Sequence, residues 1–334
     1  MKKNIAIIYG GYSSEIIISE KSMKGVESFI DTEKYNTYPL LIKDLEWKVI
    51  TDNKQIPVDK NDFSFTLNNK KVTFDCAYIT IHGTPGENGV LQGYLDMTGI
   101  PHTTCNVLPS ALTFNKFTCS TYLKGFGVAV ADSLLIRKGN EYNPDDIVEK
   151  MGLPCFIKPN AGGSSFGITK VKKQEEVRPA IEKAFSESSE VIIEQLVDGR
   201  ELTCGLYKTS KGENIFPITE VLSKNEFFDF EAKYTSEKVE EITPARIPGD
   251  IAERIRTISS LIYDILGCKG IVRIDYIYSK DKIFMLEVNT TPGMTPTSFI
   301  PQQIKAANLN IKEVFTDIIE DSIEKFTPLF PLSV

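Results

Sequence analysis

The stretch IVRIDYIYSKDKIFMLEVNTTPGMTPTS, residues 271–298, limits what this chain can fold into more than any other. Its two apolar runs have the composition of buried strands, yet polar residues interrupt them at alternate positions: Arg273 and Asp275 in the first, Glu287 and Asn289 in the second. Side chains two apart on a strand share a face. The polar segment 279–282 (SKDK) is turn-like, so the runs are expected to pair as a hairpin. Register then decides the chemistry. An odd-numbered loop, for example residues 280–282, sets Asp275 opposite Glu287, whereas an even loop sends the two carboxylates to opposite faces.

With the odd loop, one face of a largely buried hairpin presents two carboxylates, an amide and a guanidinium. Burying like charges a few Å apart is costly unless something positive compensates them. Oxygen donors without sulfur or imidazole suit a hard cation, and Mg2+ is the natural choice. The plain alternative is a hairpin whose charged face meets solvent. The TPGMTPTS that follows favours a site, because its prolines, glycine and hydroxyls suit a loop of backbone donors better than a strand or helix.

A chain of 334 residues exceeds one ordinary core and fits two or three domains. Its 41% hydrophobic and 25% charged content is that of a globular protein, and a net charge of -7 disfavours nucleic acid as a partner. The opening MKKNIAIIYGG has too short an apolar run for a signal peptide, and no segment is long enough for a membrane span, so neither membrane attachment nor export is expected. Six scattered cysteines without CxxC spacing read as reduced thiols of a cytosolic protein. Two histidines, His82 and His102, supply neither an imidazole-based zinc site nor a Ser-His-Asp triad well.

Taken in order, residues 4–9 read as a strand ending at Gly10 and Gly11, followed by a helix that Ser13 or Ser14 could cap, with Glu15 in its first turn. GGYSSE lacks the later glycines of GxGxxG, which disfavours a dinucleotide fold. Residues 36–50 and 63–74 read as further strands, the latter with a turn at Asn68 and Asn69. HGTPGENGVLQG then gives a glycine loop opened by His82 and a helix ending at Gly99. Repeated strand-loop-helix units predict a parallel α/β domain. Helix follows from Ser110 and includes Lys116. Strands are expected over 129–137, 155–157 and 191–194, and KPNAGGSSFGITKV sits between the last two. A lysine before glycines and hydroxyls is material for a phosphate flap, although no Walker motif is present. Residues 225–242 mix aromatics and charges as lids do. An amphipathic helix over 251–266 precedes the hairpin, and helices over 304–326 close the chain.

GGYSSE, HGTPGENGVLQG, Lys116, IKPNAGGSSFG, Glu194, Glu201, EAKY, RID and EVNTTPGMTPTS occur in an order and spacing that closely resemble the D-alanine:D-alanine ligases of the ATP-grasp superfamily. The resemblance implies an α/β and α+β multidomain chain: an N-terminal parallel α/β domain (1–115), then a two-part ATP-grasp fold (116–199 and 200–334). It implies ATP contacts from Lys116, Lys158 and Lys233, with Glu194 at the adenine amino group, Leu196 beside it and Glu201 at the ribose. It implies two Mg2+ or Mn2+ ions on Asp275, Glu287 and Asn289. Glu15, oriented by Ser164 and Tyr234, would hold the first D-alanine near His82. Ser298 would meet the second, and Arg273 with the amide of Gly293 would face the developing oxyanion. The implied product is a dipeptide for peptidoglycan synthesis, made by a cytoplasmic enzyme that is commonly a homodimer in relatives.

Departures include GENG, NAGG and Phe299, the last able to reshape the acceptor pocket. The resemblance implies that Tyr234 favours D-alanine over D-lactate as second substrate, since the D-lactate-using relatives generally lack a tyrosine there. The competing readings are a ligase making D-alanyl-D-lactate or D-alanyl-D-serine, a nucleotide-binding module without ligase activity, and a nicotinamide dehydrogenase. The module gives no reason for Arg273 beside paired carboxylates, and the dehydrogenase lacks its glycine fingerprint.

Overall fold

The computed structural model describes residues 2–13, 15–51, 54–162, 167–223 and 239–328. The first sheet holds β1 (Lys3–Gly10), β2 (Tyr35–Lys43), β3 (Glu46–Thr51), β4 (Lys54–Asp59), β5 (Ser64–Leu67), β6 (Lys70–Val72) and β7 (Cys76–Ile79), in the order β6-β5-β4-β3-β2-β1-β7. Only β2-β1-β7 is parallel. The other four strands extend it as antiparallel hairpins, so the expected parallel sheet is a mixed one. Residues 36–50 split into β2 and β3. Asn68 and Asn69 form the expected turn, both in the left-handed region that asparagine tolerates.

Helices α1 (Ile16–Phe29) and α2 (Val90–Thr98) pack on opposite faces of this sheet, α1 against Ile5 and Ile7 and α2 against Ala6 and Ile8. The cap of α1 is Glu15, whose own side chain makes no cap bond; of the two serines expected there, Ser13 Oγ accepts from the Glu15 amide at 3.3 Å and Ser14 lies outside the described residues. Ser13 also donates to the His82 carbonyl at 2.9 Å. Gly99 ends α2 in the left-handed conformation, as its position predicts.

Next come α3 (Val107–Phe114) and α4 (Lys116–Lys124), then a four-stranded antiparallel sheet ordered β10-β9-β11-β8, made of β8 (Ser133–Arg137), β9 (Cys155–Pro159), β10 (Thr169–Val171) and β11 (Glu190–Gln195). The strand expected from residue 129 begins four residues later. The amide of Met285 instead donates to the Ala129 carbonyl at 2.8 Å, which draws that segment to the third sheet. Helices α5 (Pro144–Met151) and α6 (Val177–Phe185) back the second sheet through Ile147, Met151, Val177, Ile181 and Ala184.

The third sheet contains β12 (Arg200–Thr209), β13 (Gly212–Ile215), β14 (Thr219–Ser223), β15 (Val239–Ile242), β16 (Val272–Ser279) and β17 (Lys282–Asn289). Its order is β15-β14-β12-β16-β17, with β13 also on β12, and every pairing is antiparallel. Helix α7 (Gly249–Leu266) packs on it through Ile251, Ile255 and Ile262. The closing helices α8 (Phe299–Ala306) and α9 (Ile311–Glu324) begin five residues earlier than expected. They join the first and third sheets in one core that includes Ile7, Tyr78, Tyr207, Ile300 and Phe315. Among the described residues no helix is long and apolar enough to cross a membrane.

Candidate active site

The β16–β17 hairpin reaches the predicted pairing by a different route. Ser279 pairs with Lys282, leaving a two-residue loop of Lys280 and Asp281, both with positive φ as a primed turn requires. The even loop alone would have set Asp275 against Leu286. A bulge between Asp275 and Tyr276 shifts the register by one, so Leu286 becomes the extra residue and Asp275 opposes Glu287, with Arg273 opposing Asn289. The odd-loop expectation is wrong, and the shared face is present because an unforeseen inserted residue compensates.

On that face Asp275 is buried and fully engaged. Arg273 grips it with Nε to Oδ1 at 2.9 Å and Nη2 to Oδ2 at 2.8 Å. Asn289 Nδ2 donates to Oδ2 at 3.1 Å, and Thr203 Oγ1 on β12 donates to Oδ1 at 2.5 Å. Glu287 lies between two cations, with Lys116 Nζ at 3.6 Å and Arg273 Nη2 at 4.0 Å. Burial works against charge on Arg273, but the Asp275 and Glu287 carboxylates outweigh it and hold the guanidinium more firmly protonated than usual. No group of three or more His, Cys, Asp or Glu side chains gathers to hold a metal among the described residues. Two carboxylates and an amide nevertheless fit Mg2+ or Mn2+, which take one or two protein carboxylates and complete their shell with phosphate oxygens and water.

A cavity of about 1670 Å³ opens on this face. Lys116, Lys158, Glu194 and Leu196 line it on the side of the second sheet, and Glu15 and His82 on the side of the first. Glu201, Arg273, Asp275, Glu287, Asn289, Gly293 and Ser298 line it from the third. Thirteen residues predicted from sequence thus share one cavity. Ser164, Lys233 and Tyr234, with most of the expected lid, lie outside the described residues.

Lys158 and Glu194 form a buried ion pair at 2.6 Å. Lys116 Nζ donates to the Gly162 carbonyl at 2.8 Å, joining α4 to the base of the glycine loop. His82 is held by Ser22 Oγ at 3.1 Å from Nε2, and burial pulls its pKa down despite the Glu15 charge, so the imidazole is neutral at pH 7. Ser22 Oγ in turn accepts from the Met294 amide at 3.3 Å, so a short polar chain runs from the first sheet to the TPGM loop. Gly25 permits this approach, since a Cβ there would stand 2.0 Å from the Met294 carbonyl oxygen.

Sequence reasoning missed Thr203 and Glu87. Glu87 lies within the quoted GENG and lines the cavity, accepting a 2.8 Å bond from the Gly83 amide. Burial, reinforced by the Glu15 charge, pushes its carboxyl up to about 8. The placement of Glu87 five residues after His82 in a glycine loop was the only available signal. Arg273 also lies over the Phe299 ring, 5.4 Å from its centroid, so the departure at Phe299 touches the Arg273 side of the cavity.

The chain matches two family models, "D-ala D-ala ligase N-terminus" over residues 4–105 and "D-ala D-ala ligase C-terminus" over residues 122–320. It is 61% identical to a D-alanine–D-alanine ligase of Phocaeicola vulgatus, across 96% of this chain and 99% of that one. Among solved structures it resembles the VanG D-Ala:D-Ser ligase of Enterococcus faecalis, with a TM-score of 0.85 and 32% identity over 96% of this chain and 100% of that one. It also resembles the D-alanine–D-alanine ligase of Bacillus anthracis complexed with ATP, with a TM-score of 0.77 and 27% identity over 96% and 98% of the two chains.

Proposed function

The chain belongs to the D-alanine–D-alanine ligase family, as an ATP-binding ligase of cell-wall synthesis, and from that premise we propose how its own residues divide the work. Residues 1–115, 116–199 and 200–334 act as three domains, with ATP between the last two. Lys116 and Lys158 neutralise the phosphates, Glu194 and Leu196 meet the adenine, and Glu201 meets the ribose. Lys233 adds a further ammonium. Asp275, Glu287 and Asn289 hold two Mg2+ or Mn2+ ions. When bound, these ions offset charge on the transferring phosphoryl group.

Glu15 fixes the ammonium of the first D-alanine, with Ser164 and Tyr234 orienting that carboxylate and His82 alongside. The D-alanine carboxylate takes the γ-phosphoryl group as its bond to the β-phosphate breaks and ADP leaves, and the resulting acyl phosphate turns a poor electrophile into a reactive one. The second D-alanine, its carboxylate at Ser298, attacks through its amine, and phosphate leaves as the peptide bond forms. Arg273 and the Gly293 amide face the oxygen that becomes negative, where donors already in place stabilise charge without reorganising. Water excluded from the cleft cannot hydrolyse the acyl phosphate.

The observation that carries this reading is the bulged register that sets Asp275 against Glu287 beside Arg273 and Asn289. Phosphate release with Mg-ATP and D-alanine tests it. Glu287→Gln is expected to lower kcat by on the order of 100-fold while the protein stays folded. Unchanged kcat in that variant at limiting Mg2+ would remove Glu287 from the metal site. D-serine and D-lactate, offered as acceptors in the same assay, are expected to give less phosphate than D-alanine.

A further inference from the structure

Asn160, immediately after β9, is a polar side chain with no exposure at all. Its Oδ1 accepts from the Phe117 amide at 2.8 Å, and its Nδ2 donates to Glu190 Oε2 at 2.8 Å and Asn115 Oδ1 at 3.0 Å. A backbone N–H can only donate, so this orientation of the amide is the one the network requires. The backbone of Asn160 is tied as well: its carbonyl accepts from the Lys116 amide and its amide donates to the Glu190 carbonyl, both at 2.9 Å. Glu190 is held in turn by Arg137 Nε at 2.8 Å and Asn115 Nδ2 at 3.3 Å. Asn115 Oδ1 also caps α4 by accepting from Thr118 N at 2.9 Å.

What this knot joins is specific. Lys116 is the first residue of α4, Lys158 stands two residues before Asn160 on β9, and Gly162, which accepts from Lys116 Nζ, stands two residues after it. A lysine is a point charge on a flexible stem, so the spacing of two lysine backbones limits where their ammonium groups can meet on one ligand. We infer that Asn160, held by Glu190, is a positioning residue for nucleotide phosphates: it fixes Lys116, Lys158 and the base of the glycine loop at one spacing. The inference rests on reading Lys116 as a phosphate contact.

The test is steady-state kinetics with ATP and D-alanine varied separately, on Asn160→Ala, Glu190→Gln and Lys116→Ala, each checked for folding by circular dichroism. Asn160→Ala is expected to raise KM for ATP about tenfold, the usual consequence of losing a buried hydrogen-bond partner, while KM for D-alanine stays within about twofold. Glu190→Gln should move KM for ATP the same way by less, and it carries the test if Asn160→Ala does not fold. A purely structural role would lower the melting temperature and leave both KM values alone, and that result overturns the inference. Unchanged KM for ATP in Lys116→Ala would sink the phosphate reading of that lysine and this inference with it. An ATP effect in Lys116→Ala but none in the other two variants would sink the inference alone.

Discussion

Glu87 shows how much of the site depends on groups far apart in sequence. Its carboxyl is pushed up to about 8 by burial and by Glu15, while the Gly83 amide and Lys116 pull it back. A glutamate in an unfolded chain titrates near 4.3, so the folded protein holds this proton more tightly than the unfolded one. The resulting stability is fully present below the unfolded value and is lost as pH rises through about 8. Glu87→Gln keeps an oxygen for the Gly83 amide and removes the titration. The variant should therefore lose less melting temperature than the parent between about pH 6 and pH 9, measured without nucleotide. Identical slopes would mean that another group titrates there. The sequence made Glu15, His82 and Arg273 visible because each stands at a strand or helix end in a quoted motif. Glu87, Thr203 and Asn160 stayed hidden because their partners are brought to them by other elements.

For the elements, the hairpin shows what alternation can and cannot say. Polar residues at every second position identified the face, and that reading holds for Arg273, Asp275, Glu287 and Asn289. The loop length was misjudged because a bulge at Leu286 has no mark in composition; it is a property of the paired strands. The antiparallel extension of the first sheet was missed for a related reason: β4 is short, mostly exposed and interrupted by Pro57, and it reads as loop until a neighbour pairs with it. The turn itself offers a test. Lys280 and Asp281 both occupy the left-handed region, where most side chains are strained, and Asp281 also receives Arg254 at 2.8 Å. Lys280→Asn should relieve strain without touching that contact, raising stability by about 0.5–1 kcal/mol in denaturant unfolding and leaving kcat unchanged. A loss of stability would show that Lys280 contributes something its backbone angle does not reveal.

At the scale of the whole molecule, the cavity exists because three sheets are held around it, and α9 together with α8 joins the first to the third. Phe315 on α9 has no exposure, stacks on Tyr78 of β7 at 5.3 Å and meets Phe29 of α1 edge-on at 5.6 Å. Tyr35 Oη also donates to Glu320 Oε1 at 2.7 Å, and Lys3 pairs with the same carboxylate. Phe315→Ala should cost about 3–5 kcal/mol, a large share of the roughly 5–15 kcal/mol that a folded protein has to lose. The damage should also be directional. Glu15 and His82 come from the first sheet, whereas Arg273, Gly293 and Ser298 come from the third, so loosening α9 separates the two sides proposed to hold D-alanine. Lys158 and Glu194 belong to the second sheet, none of whose strands contributes to Phe315's core cluster. At a temperature where the variant is still folded, KM for D-alanine should rise several-fold more than KM for ATP. An equal rise in both would mean that α9 supports the cavity as one body, and that the proposed division between amino-acid and nucleotide halves does not describe how this protein is held together.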